Sequence, residues 1–245
     1  MKTIIAANWK MHKTADEAME YMEQFARIHT QEEQKEIVFF PATMHLPLLK
    51  EGGNIKIGAQ NIHTEQKGAY TGETSIRMIA PHCSWVLVGH SERRREAHES
   101  NKEANKKAIL SLENGKNVMF CIGENKEQRT TGKTESVLKE QLEEGLKNIH
   151  SLNNIAIAYE PSWAISNGDP LHKTATPEDA KQAAQLIRSI LKEKYQNAED
   201  TPILYGGSVK RDSVGMFTSL PNINGVLVGG ASLDAEHFSE IIKRA

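Results

Sequence analysis

Three polar side chains suited to acid–base chemistry follow short apolar runs that are typical of buried strands. Lys10 comes just after the first of these runs, His90 directly follows the fourth, and Glu160 directly follows the sixth. A glutamate in a partly dry cleft has a raised pKa and becomes a competent base near neutral pH. A neutral imidazole donates a hydrogen bond to a carbonyl oxygen, and an ammonium group stabilises the negative charge that develops there. The three residue types together predict removal of a proton next to a carbonyl group.

The surroundings of Lys10 and His90 favour these roles over ordinary surface positions. Lys10 follows a strand and a tryptophan, so its base is expected to be buried, and a buried ammonium needs a partner such as Glu92. The segment 91–93 is suited to begin a short helix, whose N-terminus disfavours a charged imidazolium at His90. We therefore expect a neutral imidazole beside a lysine–glutamate pair.

Two glycine pairs follow the last two apolar runs: Gly206 and Gly207, which precede Ser208, and Gly229 with Gly230. Bare backbone can approach an anion closely and offer it N–H donors. Either pair alone is equally well explained by a tight turn. Because both pairs follow the last two strands, which is the usual phosphate position in a parallel barrel, the pattern favours a phosphate site. The substrate is then predicted to be a small phosphorylated sugar.

A long loop follows Glu160. Pro161 ends the strand, turn residues come next, and Thr176 and Pro177 are suited to begin a helix. We expect this loop to close as a lid that excludes water and brings the carboxylate into line. The exclusion of water matters because an enediol phosphate that is exposed to water would eliminate its phosphate.

The elements that must position these residues form a repeated pattern of strand and helix. Eight strands are predicted, at Ile4–Asn8, Ile37–Phe40, Ile55–Ala59, Trp85–Gly89, Val118–Ile122, Ile155–Tyr159, Ile203–Tyr205 and Val226–Val228. Helical patterns separate most of them, with weak signals after the second and third strands. After the first strand, Thr14-Ala-Asp-Glu17 has the pattern of a capping box and predicts a helix start. Alternation of this kind predicts an α/β fold with a parallel sheet, and eight units suit a closed (β/α)8 barrel formed by a single domain over residues 1–245. An open doubly wound sheet is the alternative, but no Gly-x-Gly-x-x-Gly motif follows the first strand.

Composition excludes several classes of function. The chain has 245 residues, a formal net charge of −2 and no basic tract, so neither nucleic acid nor an anionic membrane is an expected partner. No apolar run approaches the ~20 residues of a membrane span, and the N-terminus lacks the apolar core of a signal peptide. Cys83 and Cys121 lie in apolar surroundings and are predicted to be buried free thiols in a reducing compartment. Without His-x-x-x-His or Cys-x-x-Cys spacing, no metal site is expected.

Nine segments carry a resemblance to one family along nearly the whole chain. They are AANWKM, GAQN, GAYTGE, VGHSERR, CIGE, AYEPSWAI, KTATPE, YGGSV and GVLVGGASL. In their order and spacing they resemble the triosephosphate isomerase family, in which the tuning of acid and base pKa values is well known. The resemblance implies a (β/α)8 TIM barrel, a cytoplasmic enzyme of glycolysis and gluconeogenesis, and no cofactor.

The resemblance also implies a role for each matching residue. Glu160 is implied as the base, His90 as the electrophile and Lys10 as the cationic contact. Asn8 is implied beside Lys10, and Glu92 as a supporting acid. The implied phosphate contacts are Ser166, Ser208, Gly229 and Gly230. The segment Gly68–Glu73 resembles the loop that docks into a neighbouring subunit, which implies a homodimer.

The lid departs from the family pattern. Where the family reads AIGTGKTA, this chain reads AISNGDPLHKTA, so the tip is about four residues longer. Ser166 replaces the glycine whose N–H reaches the phosphate, and that contact is expected to persist at Ser166 or to shift to Gly168. His12 also replaces the asparagine that is usual in this family.

The longer lid leaves three hypotheses open. The first is interconversion of glyceraldehyde 3-phosphate and dihydroxyacetone phosphate. The second is the same proton transfer on a four-carbon ketose phosphate, such as an erythrulose phosphate, because a longer tip could shape a larger pocket. The third is a barrel without activity that binds sugar phosphates as a regulator, which the presence of Lys10, His90 and Glu160 disfavours.

Overall fold

The structure, a computed structural model, describes residues 2–164 and 174–245. Its eight strands are β1 Thr3–Asn8, β2 Lys35–Phe40, β3 Ile55–Ala59, β4 Trp85–Val88, β5 Asn117–Ile122, β6 Ile155–Tyr159, β7 Ile203–Tyr205 and β8 Gly225–Val228. Each strand pairs in parallel with the next, and β1 also pairs with β8, where Ile4 lies opposite Gly225. The predicted (β/α)8 barrel is therefore confirmed, and the open sheet is excluded because the first and last strands are hydrogen-bonded to each other.

Helices connect the strands on the outside. They are α1 Ala15–Ile28, α2 Ile76–Ile79, α3 Ser91–Glu96, α4 Asn101–Glu113, α5 Lys126–Thr130, α6 Thr134–Gly145, α7 Pro177–Lys192, α8 Val214–Thr218 and α9 Ala235–Arg244. Short 3-10 turns lie at Thr43–His45, Ala80–His82, Ser162–Ala164, Ala198–Asp200 and Gly230–Ser232. The connection after β2 holds a 3-10 turn, and the connection after β3 holds a single turn of helix followed by a 3-10 turn, as their weak sequence signals predict.

Reciprocal side-chain caps mark the starts of α1 and α7. At α1 the Thr14 hydroxyl accepts a hydrogen bond from the Glu17 N–H, and the Glu17 carboxylate accepts one from the Thr14 N–H. Thr176 caps α7 in the same way, with Pro177 at the first helical position. Such reciprocal caps satisfy N–H groups that the helix itself leaves without partners. These two starts agree with the sequence prediction.

The apolar side chains form two layers, which follow from the alternation along each strand. Ile4 and Ala6 belong to a cluster made only of strand residues, which fills the barrel interior. Ile5 and Ala7 belong to a larger cluster that includes helix residues such as Phe25 and packs between the barrel and its helices. Because both faces of each strand are buried, the strands read as continuous apolar runs.

Two further expectations can be checked on the described residues. Cys83 and Cys121 are buried free thiols, as predicted. Within residues 2–164 and 174–245, no helix is both long enough and apolar enough to cross a membrane.

Candidate active site

The C-terminal ends of the parallel strands meet at one end of the barrel, and the predicted site residues gather there. Lys10 lies two residues beyond β1 in a left-handed backbone conformation, with φ of 53°. Its N–H donates to Asn8 Oδ1 at 3.0 Å, and its carbonyl accepts from Gln60 Nε2 at 2.8 Å. Gln60 also donates to the Phe40 carbonyl at 2.9 Å, so the amide ties the ends of three neighbouring strands together. These bonds hold a backbone conformation that is unfavourable for a lysine.

Lys10 and Glu92 form an ion pair in the site. Lys10 Nζ lies 2.6 Å from Glu92 Oε1, and both side chains are partly exposed. Glu92 is in the first turn of α3, which begins directly after His90. Strand β4 and this helix therefore place His90 and Glu92 side by side, next to the lysine from β1.

His90 is buried, and each of its ring nitrogens has a defined neighbour. Nδ1 accepts a hydrogen bond from the Glu92 N–H at 3.3 Å. Nε2 lies 2.9 Å from Glu160 Oε1, and the Asn8 amide nitrogen lies 3.1 Å from Nε2. Because a carboxylate only accepts hydrogen bonds, the proton in this arrangement is on Nε2.

Glu160 is almost fully buried at the end of β6, and two donors hold its carboxylate. Oε1 contacts His90 Nε2, and Oε2 accepts from the Ser91 N–H at 2.9 Å. Its own N–H donates to the Ile122 carbonyl at 2.7 Å, which continues the pairing of β6 with β5. The carboxylate therefore rests on the start of α3.

The sequence predicts a raised pKa for Glu160, and this is wrong for the described arrangement, in which the pKa is lowered. Burial raises the pKa of this carboxyl, as expected, but His90 and the hydrogen bonds from His90 and the Ser91 N–H lower it by more. Burial lowers the pKa of His90, but the Glu160 and Glu92 carboxylates together raise it by more, so this pKa is raised and not lowered as the helix N-terminus alone predicted. The sequence could not anticipate this result because it depends on direct contact between residues 70 positions apart.

The predicted phosphate side lies at the ends of β7 and β8, between the end of β6, which carries Glu160, and the end of β1, which leads to Lys10. Ser208 Oγ donates to the Ala164 carbonyl at 3.2 Å, which links the loop after β7 to the chain after β6. Gly229 lies close to Lys10, since a Cβ placed on it would be 3.4 Å from Lys10 Cε. A Cβ on Gly230 would meet no heavy atom within 4 Å. Ser166, the fourth predicted phosphate contact, lies outside the described residues.

Two residues with many contacts in the site were not singled out from the sequence. Gln60 and Glu124 both stand in segments that mark the family resemblance, GAQN and CIGE, which was the one available signal. Glu124 is fully buried and accepts from Tyr159 OH at 3.1 Å and from Trp163 Nε1 at 2.8 Å. Arg129 lies over the Trp163 ring, 5.1 Å from its centroid. Together these contacts fix the chain just before the described residues are interrupted.

A cavity of about 630 Å³ opens beside these residues. The residues that line it include Asn8, Lys10, His90, Gly72 and Glu73. Across the described parts of the chain, no three His, Cys, Asp or Glu side chains are grouped so that they could hold a metal ion.

Comparison with known proteins agrees with this geometry. The family model "Triosephosphate isomerase" matches residues 3–245. Triosephosphate isomerase from Aquifex aeolicus is 42% identical over 248 residues, covering 99% of each chain. The enzyme from Dictyoglomus thermophilum is 43% identical, over 99% of this chain and 99% of its own length. The enzyme from Clostridium tetani is 41% identical, over 98% of this chain and 96% of its own length. This chain belongs to the triosephosphate isomerase family.

Proposed function

We propose that this protein is an isomerase that interconverts D-glyceraldehyde 3-phosphate and dihydroxyacetone phosphate, working as one (β/α)8 domain over residues 1–245. The observation that carries the proposal is the meeting of Lys10, His90 and Glu160 at one barrel end, in a chain that matches the family over residues 3–245. No cofactor is required, because the reaction moves protons between carbon and oxygen atoms of one substrate.

The chemistry follows from the three side chains. A Glu160 oxygen takes the proton from the carbon next to the substrate carbonyl, and the C–H electron pair moves to make an enediolate. His90 Nε2–H donates to the oxygen that becomes negative, and the Lys10 ammonium stabilises the same charge. His90 Nε2 gives its proton to the former carbonyl oxygen and takes the hydroxyl proton from the neighbouring oxygen, so the negative charge moves between the two oxygens. Glu160 then returns its proton to the neighbouring carbon, which completes the exchange of carbonyl and hydroxyl groups.

Glu160 must leave its resting contacts to act. The carboxylate is held by the Ser91 N–H and by His90 Nε2, which is also the proposed donor to the substrate. Once the carboxylate leaves them, burial remains as the main influence on its pKa, and burial raises that pKa toward the range of a useful base. The same movement frees Nε2–H for the substrate oxygen.

The substrate phosphate is proposed to bind at the ends of β7 and β8, between Glu160 after β6 and Lys10 after β1. Ser208, Gly229 and Gly230 would contribute N–H groups, with Asn8 and Lys10 on the adjoining wall. The proximity of Gly229 to Lys10 supports this arrangement, because it lets one cation face both the phosphate and the reacting oxygens. Ser166 is proposed as a further contact from the lid.

A homodimer is proposed through the segment Gly68–Glu73. The segment is exposed but internally held: Glu73 N–H donates to the Tyr70 carbonyl at 3.0 Å, and the rings of His63 and Tyr70 are 4.2 Å apart. Exposed apolar side chains nearby, including Met11 and Met78, are suited to burial against a second copy. We place this dimer in the cytoplasm, in line with the resemblance.

The function is tested by measuring kcat/KM of the pure protein on glyceraldehyde 3-phosphate and on erythrulose phosphates, side by side. A large preference for the triose is expected. The comparisons do not support the tetrose or regulator hypotheses, but each has its own outcome in this assay. A preference for a tetrose phosphate would favour the tetrose hypothesis. Binding of sugar phosphates without turnover would favour the regulator hypothesis.

A further inference from the structure

We propose that Lys13 and Tyr21 are positioning residues that hold the Gly230–Ser232 turn in the geometry that receives the substrate phosphate. The inference rests on the proposed function, and it assigns a role to two side chains that do not line the cavity beside Lys10 and His90. The pair is called the carbonyl brace below.

The turn follows β8 and closes on itself at one carbonyl. The Gly229 carbonyl accepts from the Ser232 N–H at 2.8 Å and from Ser232 Oγ at 2.7 Å. This carbonyl shares a peptide group with the Gly230 N–H, one of the proposed phosphate donors. Two bonds to the oxygen polarise that peptide group and make its N–H a stronger donor. The position of Ser232 therefore bears directly on the phosphate contact.

The brace fixes Ser232 and its neighbour from outside the turn. Tyr21 OH donates to the Ser232 carbonyl at 2.8 Å, and Lys13 Nζ donates to the Leu233 carbonyl at 2.8 Å. The two carbonyls are consecutive, so together the bonds set both the position and the tilt of the peptide groups at the end of the turn. Ser232 is fully buried, while nothing packs where a Cβ on Gly230 would lie. The turn is thus held at its C-terminal end and open at its N-terminal end.

Aromatic contacts hold the two residues of the carbonyl brace in place. Lys13 Nζ lies 4.5 Å from the Tyr21 ring centroid and 5.4 Å from that of Trp9, and the Trp9 and Tyr21 rings meet edge to face at 4.8 Å. Cations over aromatic faces are attracted by the ring quadrupole. Glu17 and Asp234 are the charged groups that act on the Lys13 ammonium, and both favour its charged form.

The brace also connects the two halves of the site. Trp9 directly precedes Lys10, so the segment that carries the proposed catalytic cation also carries the support for the turn that includes Gly230. A lost brace would let the turn shift relative to Lys10. The expected consequence is weaker phosphate binding with the proton transfer itself little changed, because Glu160 and His90 are not contacted.

The experiment compares the Lys13→Met, Tyr21→Phe and Lys13→Arg variants with the wild-type protein. Met keeps most of the apolar stem, and Phe keeps the ring, so each change removes one hydrogen bond. Lys35→Met is the matched control: Lys35 Nζ also donates to a backbone carbonyl, that of Ile242 at 2.7 Å, but from the start of β2 at the opposite end of the barrel. Readouts are kcat and KM with the triose phosphate, the Ki of inorganic phosphate, and Tm.

Loss of one such bond is expected to raise KM and the Ki of phosphate about 3- to 10-fold in Lys13→Met and in Tyr21→Phe. The kcat should stay within about twofold, and Lys13→Arg should recover most of the affinity. Lys35→Met should lower Tm without moving Ki. An unchanged Ki in both brace variants, with wild-type turnover intact, would overturn the brace alone. A wild-type protein without turnover and without phosphate inhibition would overturn the proposed function and the brace with it.

Discussion

At the scale of single residues, the contacts in the site shift the pKa values of buried groups in the direction opposite to burial. Glu160 is buried, yet its pKa is lowered because His90 and the Ser91 N–H hold the charged form. The His90 ring is kept in one tautomer by a backbone donor on one side and a carboxylate on the other. The resting arrangement therefore keeps the proposed base, Glu160, in its charged form.

The geometry of Glu160 leads to the first prediction. Glu160→Asp shortens the side chain by one methylene, which moves the carboxylate by more than 1 Å from the reacting carbon. Turnover on the triose phosphate should fall about 100-fold or more, with little change in Tm. Steady-state kinetics and thermal unfolding of the same preparation check this. Unchanged turnover would remove Glu160 from the mechanism.

Glu99 leads to the second prediction, on stability and pH. Its buried carboxylate contacts Lys107 Nζ at 2.5 Å and Arg93 Nε at 2.8 Å. Burial raises the pKa of Glu99, and these two cations lower it by more. Burial and the nearby Arg93 lower the pKa of Lys107, and Glu99 raises it without fully offsetting them, so the ammonium depends on the carboxylate beside it. Glu99→Gln should cost about 3–5 kcal/mol in the free energy of unfolding at pH 7.

The pH dependence of this cost has a definite sign. A lowered carboxyl pKa contributes stability above the ordinary value of 4.5, and that contribution is lost as pH falls through the pKa of the folded state. The difference between wild type and Glu99→Gln should therefore narrow below about pH 4.5. Urea unfolding at pH 7 and pH 4 measures it, with the exposed Glu140→Gln as control. A difference that stays constant with pH would contradict the charge argument.

At the scale of elements, the ends of the strands form the rigid support of the site, and neighbouring strand ends are in close contact. Gly123 follows β5 and lies against Glu160, which follows β6. A Cβ on Gly123 would be 1.8 Å from the Glu160 carbonyl oxygen. Gln141 of α6 bonds both backbone groups of Gly123, so the loop cannot simply move away.

Gly123→Ala is therefore expected to displace the backbone that carries the base. Overpacking should cost about 1–3 kcal/mol of stability, and the shift of Glu160 should lower kcat about 100-fold. Gly52→Ala is the control, since a Cβ there meets no atom within 4 Å. Kinetics and Tm of the two variants check the prediction, and wild-type kcat in Gly123→Ala would show that the contact does not set the position of Glu160.

At the scale of the whole molecule, one surface combines exposed apolar side chains with an ordered loop. Met11 is 95% exposed and Met78 is 65% exposed, although both are large apolar residues. The segment Gly68–Glu73 is held by the hydrogen bond from the Glu73 N–H to the Tyr70 carbonyl and by the contact of Tyr70 with His63, so little ordering would be needed to bind a partner. These properties suit a permanent contact with a second copy.

The prediction at this scale is that Thr71→Arg yields monomers. Thr71 is exposed at the tip of the segment, and an arginine there would place a bulky charge in the proposed interface. Thr30→Arg is the control, because Thr30 is equally exposed but lies between α1 and β2, at the other end of the barrel. Sedimentation equilibrium distinguishes the two states. If the Thr71→Arg variant remains a dimer, the contact between subunits lies elsewhere.

The sequence by itself determined the features that depend on neighbours along the chain. Apolar runs marked the eight strands, and Thr14 and Thr176 marked the starts of α1 and α7 through bonds that span three residues. The order of the strands then placed Lys10, His90 and Glu160 at one barrel end, because parallel strands with helical crossovers all point the same way.

Only the tertiary structure decided the features that depend on contact between distant segments. The closure of β1 on β8, the lowered pKa of Glu160 and the bonds from Lys13 and Tyr21 to the turn after β8 all belong to this class. Their physical reason is the same: hydrogen bonds and charges act over a few ångströms, and barrel closure brings within that range residues 70 to more than 200 positions apart.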